Sequence, residues 1–510
     1  MTSDARTAGL PWLAALLALA LSFAARFPAA SLPIEGDAVA YGALARALAR
    51  GDGYTIDGAS HDRSPPAYPA VVSLAIRGGA SVTDAVRRTS LALGALVAPL
   101  TVLLGARLVR GRLSPWLVAA LASLHPALVL FAGGLVPGSE ALAIDLVLGS
   151  FLLLSGSSRG VRALGLVLAA LVPLARYDAT PFAIAAIGLA VVRRPAGTSL
   201  PRVAAGTACA VLLPLLLWCL RNAAVSGSPL GHGYASHAFS IARVPQNLLV
   251  LAALVLPAAG LGLLSVFAPS GAKALWNVEG EPRALARAAL LACLAHLLLV
   301  ALFAGPTFGH DGSMSFSSGS LRFGLAIVPF VLVAAAAGLA SRPAAWRTTV
   351  AVATLVPSLA LSALLASGPL QRSLPMAPME AARLDLLADA YRAAVAEARD
   401  SDWIAFDLAP RANAGVEIFL EDLGPSGHRV GVVKAPEIPR GLFPRPDVLP
   451  FAVELPADRR AVLVTDRPVP EGPIYTAGGQ GIFHRVLLSS IGRPGRDAVV
   501  TIHQVRRTEK

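Results

Sequence analysis

The sequence predicts a polytopic α-helical membrane protein, with about eleven transmembrane helices, that ends in a soluble α/β or α+β domain. Of its 510 residues, 55% are hydrophobic and 15% are charged, whereas a soluble chain carries roughly a quarter charged residues. The mean hydropathy is +0.64, and the long apolar stretches stop near Gly368. This composition excludes a simple soluble enzyme and an intrinsically disordered protein.

The net charge of +12 belongs entirely to the apolar part of the chain. Residues 1–367 hold 25 basic and 13 acidic side chains, and residues 368–510 hold 18 of each. A basic excess inside the apolar part has a cause in the positive-inside rule. It argues against nucleic-acid binding, which needs basic residues clustered in a soluble part.

A helix needs about 20 apolar residues to cross a bilayer core of about 30 Å. The chain offers eleven such stretches, and the segment 66–77 is apolar but too short to span. The first stretch lacks a strongly basic n-region and is followed by further spans, so we interpret it as a retained helix. The predicted spans are 10–27, 89–109, 115–135, 140–156, 160–175, 179–192, 203–220, 245–268, 288–304, 321–340 and 348–367.

Charge asymmetry predicts the orientation. With a cytoplasmic N-terminus, the inner segments hold 14 basic and 3 acidic residues, and the rest of residues 1–367 holds 11 and 10. The reverse orientation would place the excess outside, against the positive-inside rule. We therefore predict a transmembrane domain at 1–367, with a long extracytoplasmic first loop at 28–88, and an extracytoplasmic domain at 368–510.

The tail has the pattern of a mixed domain. The segment Met379–Arg399 has the composition and apolar spacing of a helix, and short β-rich runs follow it. These runs are Trp403–Leu408, Val416–Leu420, Val430–Val433, Ala461–Thr465, Gly481–Leu488 and Val499–Val505. The three cysteines all lie in apolar stretches, with neither the spacing of a metal site nor that of a disulfide framework.

The first outer loop carries the densest set of polar candidates. Ala38 to Arg50 has the pattern of an amphipathic helix on the membrane surface, and Asp37 directly precedes it. Two interpretations of Asp37 stay open. Its carboxylate suits an N-cap that accepts a first-turn N–H, and it equally suits a general base aimed at a substrate hydroxyl.

Several short motifs in this order resemble the GT-C clan of membrane glycosyltransferases. Within the clan the chain is most similar to the branch with the aminoarabinose transferase and the protein O-mannosyltransferases. The resemblance covers about residues 10–340. Its motifs are Gly36-Asp37, Tyr41, Gly51-Asp52-Gly53-Tyr54, Pro65-Pro66-Ala67-Tyr68-Pro69, Pro126, Ser139-Glu140, Arg176-Tyr177-Asp178, Trp218 with Arg221-Asn222, and Arg322-Phe323 followed by Pro329.

The resemblance implies an enzyme that moves a sugar from a polyprenyl-phosphate donor to a lipid, glycan or protein acceptor outside the cytoplasm. It implies an integral protein of the bacterial inner (plasma) membrane, with Asp37 as base or orienting carboxylate for the acceptor hydroxyl. We predict that arginines neutralise the donor phosphate, because guanidinium binds phosphate in bidentate fashion. The phosphate candidates are Arg63, Arg221 and Arg322, and the supporting candidates are Tyr41, His61, Tyr68, Glu140, Arg176, Asp178, His310 and Asp311.

Several of these residues also have alternative interpretations. In the branch a Lys directly precedes the Pro-Pro pair, whereas in this chain Arg63 stands two residues before it. His61 is therefore a second candidate for the phosphate contact. Arg221 and Arg322 sit where long side chains reach from a span to the interface, Arg176 and Asp178 can pair with each other, and Glu140 suits a helix N-terminus. The loop around His310-Asp311 suits either a mobile lid or a solvated linker.

Two other classes of function remain open. One is a transporter or flippase for a lipid-linked sugar, although the sequence lacks the repeated halves of many transporters. The other is a non-catalytic scaffold of an envelope complex. No cofactor is predicted with certainty. A divalent metal is possible in this class, but the chain has no clear Asp-x-Asp motif for it.

Overall fold

The computed structural model divides into two compact units. One unit comprises Met1–Leu32, Leu44–Ala80 and Asp84–Leu370, and the other comprises Pro33–Ala43, Ser81–Thr83 and Gln371–Lys510. The residues that the structure describes are 10–28, 34, 37–56, 59–109, 115–134, 137–231, 244–245, 248, 261–303, 322–366, 392–396, 403–407, 429–432, 460–465, 474–475, 482–492 and 499–508.

The first unit is built of helices, most of which follow the predicted apolar stretches, and the predicted span 245–268 lies mostly outside the described residues. The helices are α1 (Leu10–Arg26), α2 (Asp37–Arg50, which begins in the second unit), α3 (Ala67–Arg77), α4 (Val82–Leu108), α5 (Pro115–Ser123), α6 (Pro126–Phe131), α7 (Ser139–Leu154), α8 (Arg159–Ala175), α9 (Thr180–Val192), α10 (Leu200–Ser226), α11 (Ala268–Trp276), α12 (Pro282–Phe303), α13 (Val328–Ala340) and α14 (Ala344–Ala366). Short 3-10 turns precede α9, α11 and α13, and β1 (Thr55–Ile56) pairs antiparallel with β2 (Ala59–Ser60) in the first loop.

This unit is that of an integral membrane protein. Among the described residues, α4, α10 and α12 are long and apolar enough to cross a bilayer. Helix α10 leaves Leu213, Leu216, Leu217 and Leu220 about half exposed. A soluble protein rarely exposes such a contiguous apolar face, so this surface is suited to lipid. The number of crossings, predicted as eleven, stays a prediction.

The helices pack closely enough to enclose the polar groups described below. A Cβ on Gly271 of α11 would lie 1.7 Å from the carbonyl oxygen of Ala334 in α13, so only glycine allows this approach. Phe182 stacks on Phe330 with ring centroids 5.4 Å apart, and Phe151 contacts both rings. Small residues at crossings and aromatic filling are typical of membrane helix bundles.

The structure differs from the predicted elements in three details. The span 115–135 is broken into α5 and α6, because Pro126 has no N–H and disfavours helical geometry at His125, whose backbone is extended. The predicted inner loop 269–287 contains most of α11. Asp37 is the first residue of α2 instead of preceding it, a shift within the usual uncertainty of helix ends.

The second unit contains a mixed six-stranded sheet. Its strands are β3 (Trp403–Asp407), β4 (Arg429–Val432), β5 (Arg460–Thr465), β6 (Ile474–Tyr475), β7 (Ile482–Gly492) and β8 (Val499–Thr508), in the order β4-β3-β5-β8-β7-β6. β3 runs parallel to β4 and β5, and the remaining pairs are antiparallel. Five of the β-rich runs coincide with strands. Val416–Leu420 and most of Met379–Arg399 lie outside the described residues.

Candidate functional site

Four of the predicted site residues form one ion cluster in the first unit, which we call the Glu140 cluster: Glu140, Arg176, Asp178 and Arg322. Glu140 Oε1 accepts hydrogen bonds from Arg176 Nη1 and Arg322 Nε, both at 2.7 Å. Arg176 also donates through Nε and Nη2 to the two carboxylate oxygens of Asp178, both at 3.0 Å. The formal charges of two positive and two negative side chains therefore cancel within the cluster.

Burial makes this pairing necessary. The Glu140 side chain is 1% exposed, whereas those of Arg176 and Arg322 are 16% and 20% exposed. An ionised carboxylate is stable there only with charged and hydrogen-bonded partners. The arginines shield it while keeping part of their own surface accessible, so the cluster can both stabilise the bundle and present cations at its edge.

Local sequence places each member. Glu140 is the second residue of α7, after Gly138 in an extended conformation, so the carboxylate lies at a helix N-terminus as the sequence suggested. Helix α8 ends at Ala175, where Arg176 becomes extended and Asp178 enters a 3-10 turn. This turn brings Asp178 alongside the Arg176 guanidinium, which explains their predicted pairing.

Gly138 is required for the position of Glu140. A Cβ added at Gly138 would lie 2.2 Å from Glu140 Oε2, and two arginines prevent the carboxylate from moving away without loss. We expect Gly138→Ala to destabilise the protein by about 1–3 kcal/mol, the usual effect of inserting a methyl group into a packed site. Thermal unfolding in detergent would measure this. Gly206→Ala in α10 is the control, because its Cβ would meet nothing within 4 Å. Equal stability of the two variants would contradict the expectation.

A second group of predicted residues joins the loop of residues 51–66 to α10, and we call it the Arg221 clasp: Arg221, Trp218, Tyr54 and the His61 carbonyl. The Arg221 guanidinium lies 4.9 Å from the Trp218 ring centroid and 5.5 Å from that of Tyr54. Its Nη1 donates to the His61 carbonyl oxygen, and Nη2 donates to that of Tyr54 at 3.4 Å. Cation–π and hydrogen-bond contacts thus hold the loop against the bundle.

The Arg221 clasp and the Glu140 cluster meet at Tyr177. The Tyr177 hydroxyl accepts hydrogen bonds from Trp218 Nε1 at 2.7 Å and from Asn222 Nδ2 at 3.3 Å. Tyr177 lies between Arg176 and Asp178 in the chain, so the turn that supplies two cluster members is also fixed to α10. The loop of residues 51–66 and the ion cluster are therefore parts of one connected polar region.

His61 belongs to this region as a neutral acceptor. Burial lowers the pKa of His61, Asp62 acts in the opposite direction, and Arg63 and Arg221 lower it further. Consistently, His61 Nε2 accepts the Ser64 backbone N–H at 3.1 Å, which requires that nitrogen to be unprotonated. The ring therefore shapes the loop near Arg63 instead of adding a positive charge to it.

The remaining predicted residues lie apart from these two groups or in the second unit. Arg63 is exposed in the loop, and Tyr68 is fully buried, where its hydroxyl contacts Ser90 Oγ on α4. Tyr68 is thus a packing residue of α3. Asp37 and Tyr41 belong to the second unit, Asp37 with an exposed side chain and Tyr41 buried. His310 and Asp311 lie outside the described residues.

The sequence interpretation missed two buried polar groups. His296 of α12 is fully buried, with each ring nitrogen 2.7 Å from a backbone oxygen, of Asp178 and of Phe323. Arg26 is buried in α1, where it donates to Ala132 and Ser22, and it interacts electrostatically with the buried Asp145 of α7. An ionisable residue within an apolar span was the available signal in both cases.

The described residues give no support for a metal site. Across the ranges that the structure describes, no group of three or more His, Cys, Asp or Glu side chains is arranged to hold a metal ion. In the Glu140 cluster, arginines already neutralise the carboxylates, which fits an ion-pair network and not a set of ligands for a divalent cation.

The fold is that of a polytopic α-helical membrane protein of the GT-C type, and this part of the resemblance is confirmed. The structure is similar to ArnT, the aminoarabinose transferase, from Cupriavidus metallidurans. With ArnT bound to undecaprenyl phosphate the TM-score is 0.55 at 13% identity, over 96% of this chain and 97% of that one. With ArnT in the apo state it is 0.55 at 14% identity, over 98% of both chains.

A weaker similarity involves the oligosaccharyltransferase from Archaeoglobus fulgidus. The TM-score is 0.49 at 15% identity, over 83% of this chain and 62% of that one. No protein-family model and no curated protein sequence matches the chain. At these identities the similarity defines the fold, and the reaction has to be argued from residues.

Proposed function

We propose that this protein is a membrane glycosyltransferase that moves a sugar from a polyprenyl-phosphate donor to a lipid, glycan or protein acceptor outside the cytoplasm. The acceptor oxygen attacks the anomeric carbon while Asp37 takes its proton. The bond between that carbon and the phosphate oxygen breaks, and the phosphate leaves with the electron pair. The configuration at the anomeric carbon inverts, and the carrier is released as polyprenyl phosphate.

The observation that carries this proposal is the fold match over nearly the full length of ArnT, in a structure with undecaprenyl phosphate bound. A fold alone hosts different reactions, so the residues must add to it. They do so through the partly exposed arginines of the Glu140 cluster and through Arg63 on the outer loop. A departing phosphate gains negative charge, and fixed cations favour that charge in the transition state.

Asp37 is suited to the role of base by its accessibility. Its side chain is exposed at the first residue of α2, where an acceptor hydroxyl from water or from the membrane surface can reach it. The position at a helix N-terminus is compatible with the capping role as well. A carboxylate that serves both roles is already oriented before the acceptor arrives, which lowers the entropic cost of the reaction.

The candidate phosphate-binding arginines differ in whether the side chain is exposed or already bonded to other groups of the protein. Arg63 is exposed, and we assign it direct contact with the donor phosphate. Arg322 is partly exposed and held by Glu140, and we assign it a fixed phosphate contact. Arg221 already holds the loop through the His61 and Tyr54 carbonyls, so its contribution to phosphate binding includes placing the loop that carries Arg63.

Carrier binding tests this assignment directly. We expect Arg63→Gln to weaken binding of undecaprenyl phosphate to the full chain in nanodiscs by about tenfold or more, because a hydrogen bond to a charged group contributes about 1.5–3 kcal/mol. Microscale thermophoresis would measure the dissociation constant. Arg88→Gln is the control, since Arg88 is an exposed arginine paired with Asp84 at 2.9 Å. Equal affinities for both variants and the wild type would contradict the assignment.

A transporter of lipid-linked sugars would also bind the carrier, whereas a scaffold would not. Binding therefore separates both active classes from the scaffold. The substitution Asp37→Asn separates the two active classes, because only an enzyme loses chemistry while it retains carrier affinity.

A further inference from the structure

His296 connects the two chain segments that supply the arginines of the Glu140 cluster. Its Nδ1 lies 2.7 Å from the Asp178 carbonyl oxygen, in the turn that carries Arg176. Its Nε2 lies 2.7 Å from the carbonyl oxygen of Phe323, the residue after Arg322. One buried ring thus contacts the backbone next to both arginines of the cluster, at sites far apart in the chain.

The chemistry of these contacts defines what the ring does. Both partners are carbonyl oxygens, which only accept hydrogen bonds. A neutral imidazole has one N–H and can bond one of them, so both bonds form only when each nitrogen carries a proton. A buried carbonyl left without a donor is costly. The ring thus lies between two acceptors, and a ring nitrogen that carries a proton donates to the carbonyl that faces it.

The described neighbours of His296 are mostly apolar, with a few charged groups. The centroid of the Phe182 ring lies 5.5 Å from that of the His296 ring, and Phe182 in turn stacks on Phe330. Among the described residues, the charged groups on the elements packed against α12 are Asp178 in the turn and Lys273 on α11, besides Arg322 next to the contacted carbonyl. The helices α9 and α13 contain no ionisable residue. Within the part of the chain that the structure describes, the two carbonyls are the hydrogen-bond partners of the ring, and the Asp178 side chain interacts with it electrostatically.

We propose that His296 is a positioning residue for the donor-phosphate site, acting through Arg322. Glu140 fixes the guanidinium of Arg322, and His296 fixes the backbone at the next residue, so the cation is held at both ends. The inference rests on the proposed function for the role of Arg322. It adds a residue that contacts neither carrier nor sugar but determines how rigidly the cation is presented.

Two amide substitutions separate the two bonds of the ring. The amide nitrogen of Asn lies close to the position of imidazole Nδ1, and that of Gln lies close to Nε2. His296→Gln therefore retains a donor toward Phe323, and His296→Asn retains one only toward Asp178. A purely structural histidine would give no reason for the two variants to differ in carrier binding.

The test is undecaprenyl phosphate binding by the full chain in nanodiscs, with thermal unfolding of each variant measured in parallel. We expect His296→Asn to bind about tenfold more weakly, a typical loss when the partner that orients a binding group is removed. His296→Gln should stay within about threefold of the wild type. Combining His296→Asn with Arg322→Gln should bind no more weakly than Arg322→Gln alone, because the two residues act as one unit. Leu298→Ala, an exposed position on the same helix, is the control.

The outcomes are distinct. Wild-type binding by His296→Asn would overturn the positioning role and leave the Arg322 phosphate contact intact. The same holds if the double variant loses affinity by the product of the two single-variant factors, because the two residues would then act independently. Wild-type binding by Arg322→Gln would overturn that contact and the positioning role with it. If only one of the amide variants folds, its binding alone decides: a tenfold loss in His296→Gln, or none in His296→Asn, contradicts the inference.

Discussion

Replacing Glu140 by alanine is expected to destabilise the protein by about 3–5 kcal/mol, the usual effect of removing one partner of a buried ion pair. Glu140 Oε1 is shared by Arg176 and Arg322, so its loss removes a buried partner from both cations. Asp178 still pairs with Arg176, whereas Arg322 loses its ion pair with Glu140. Thermal or denaturant unfolding in detergent measures the loss.

Two further variants make this result specific. Glu140→Gln keeps the shape of the side chain but removes its charge, and it should recover only part of the lost stability. Glu281→Gln removes the exposed partner of Arg193, at 2.9 Å with Glu281 about half exposed, and should cost at most about 1 kcal/mol. A similar loss in Glu281→Gln and Glu140→Ala would show that burial does not strengthen the Glu140 cluster.

Much of the fold follows from hydrophobicity along the chain. The apolar stretches within the described residues become helices because backbone groups in lipid must be paired within the helix, so length and composition predict them. The break at Pro126 was predictable from the same sequence, since proline disfavours helix at the preceding residue. Hydrophobicity alone gave no reason to interrupt the span 115–135. The helix breaks there because of the conformational effect of proline on the preceding residue.

The site was predictable only where its partners are close in the chain. Arg176 and Asp178 are two residues apart, and their pairing was one of the expected alternatives. The pairing of Glu140 with Arg322 joins positions 182 residues apart, and nothing in the spacing of single residues specifies which helix ends meet. His296 went unnoticed for a related reason, because its partners are backbone carbonyls that any residue would supply.

Asp37→Asn is expected to lower the rate of sugar transfer by about 10²–10⁴-fold, the contribution typical of a positioned general base. The amide retains the size of the carboxylate and can still accept a first-turn N–H, so the helix start should persist. Binding of undecaprenyl phosphate should remain, because the phosphate contacts are assigned to arginines. Asp52→Asn, an exposed aspartate in the same loop, is the control and should retain transfer.

The measurement that tests the proposed reaction most directly is mass spectrometry of envelope lipids and glycans from a deletion strain that is complemented with the wild-type protein or with Asp37→Asn. We predict that deletion removes a glycosylated species, that the wild-type protein restores it, and that Asp37→Asn at equal expression leaves it absent. A deletion strain with an unchanged profile, or full restoration by Asp37→Asn, would contradict a glycosyltransferase with Asp37 as its base.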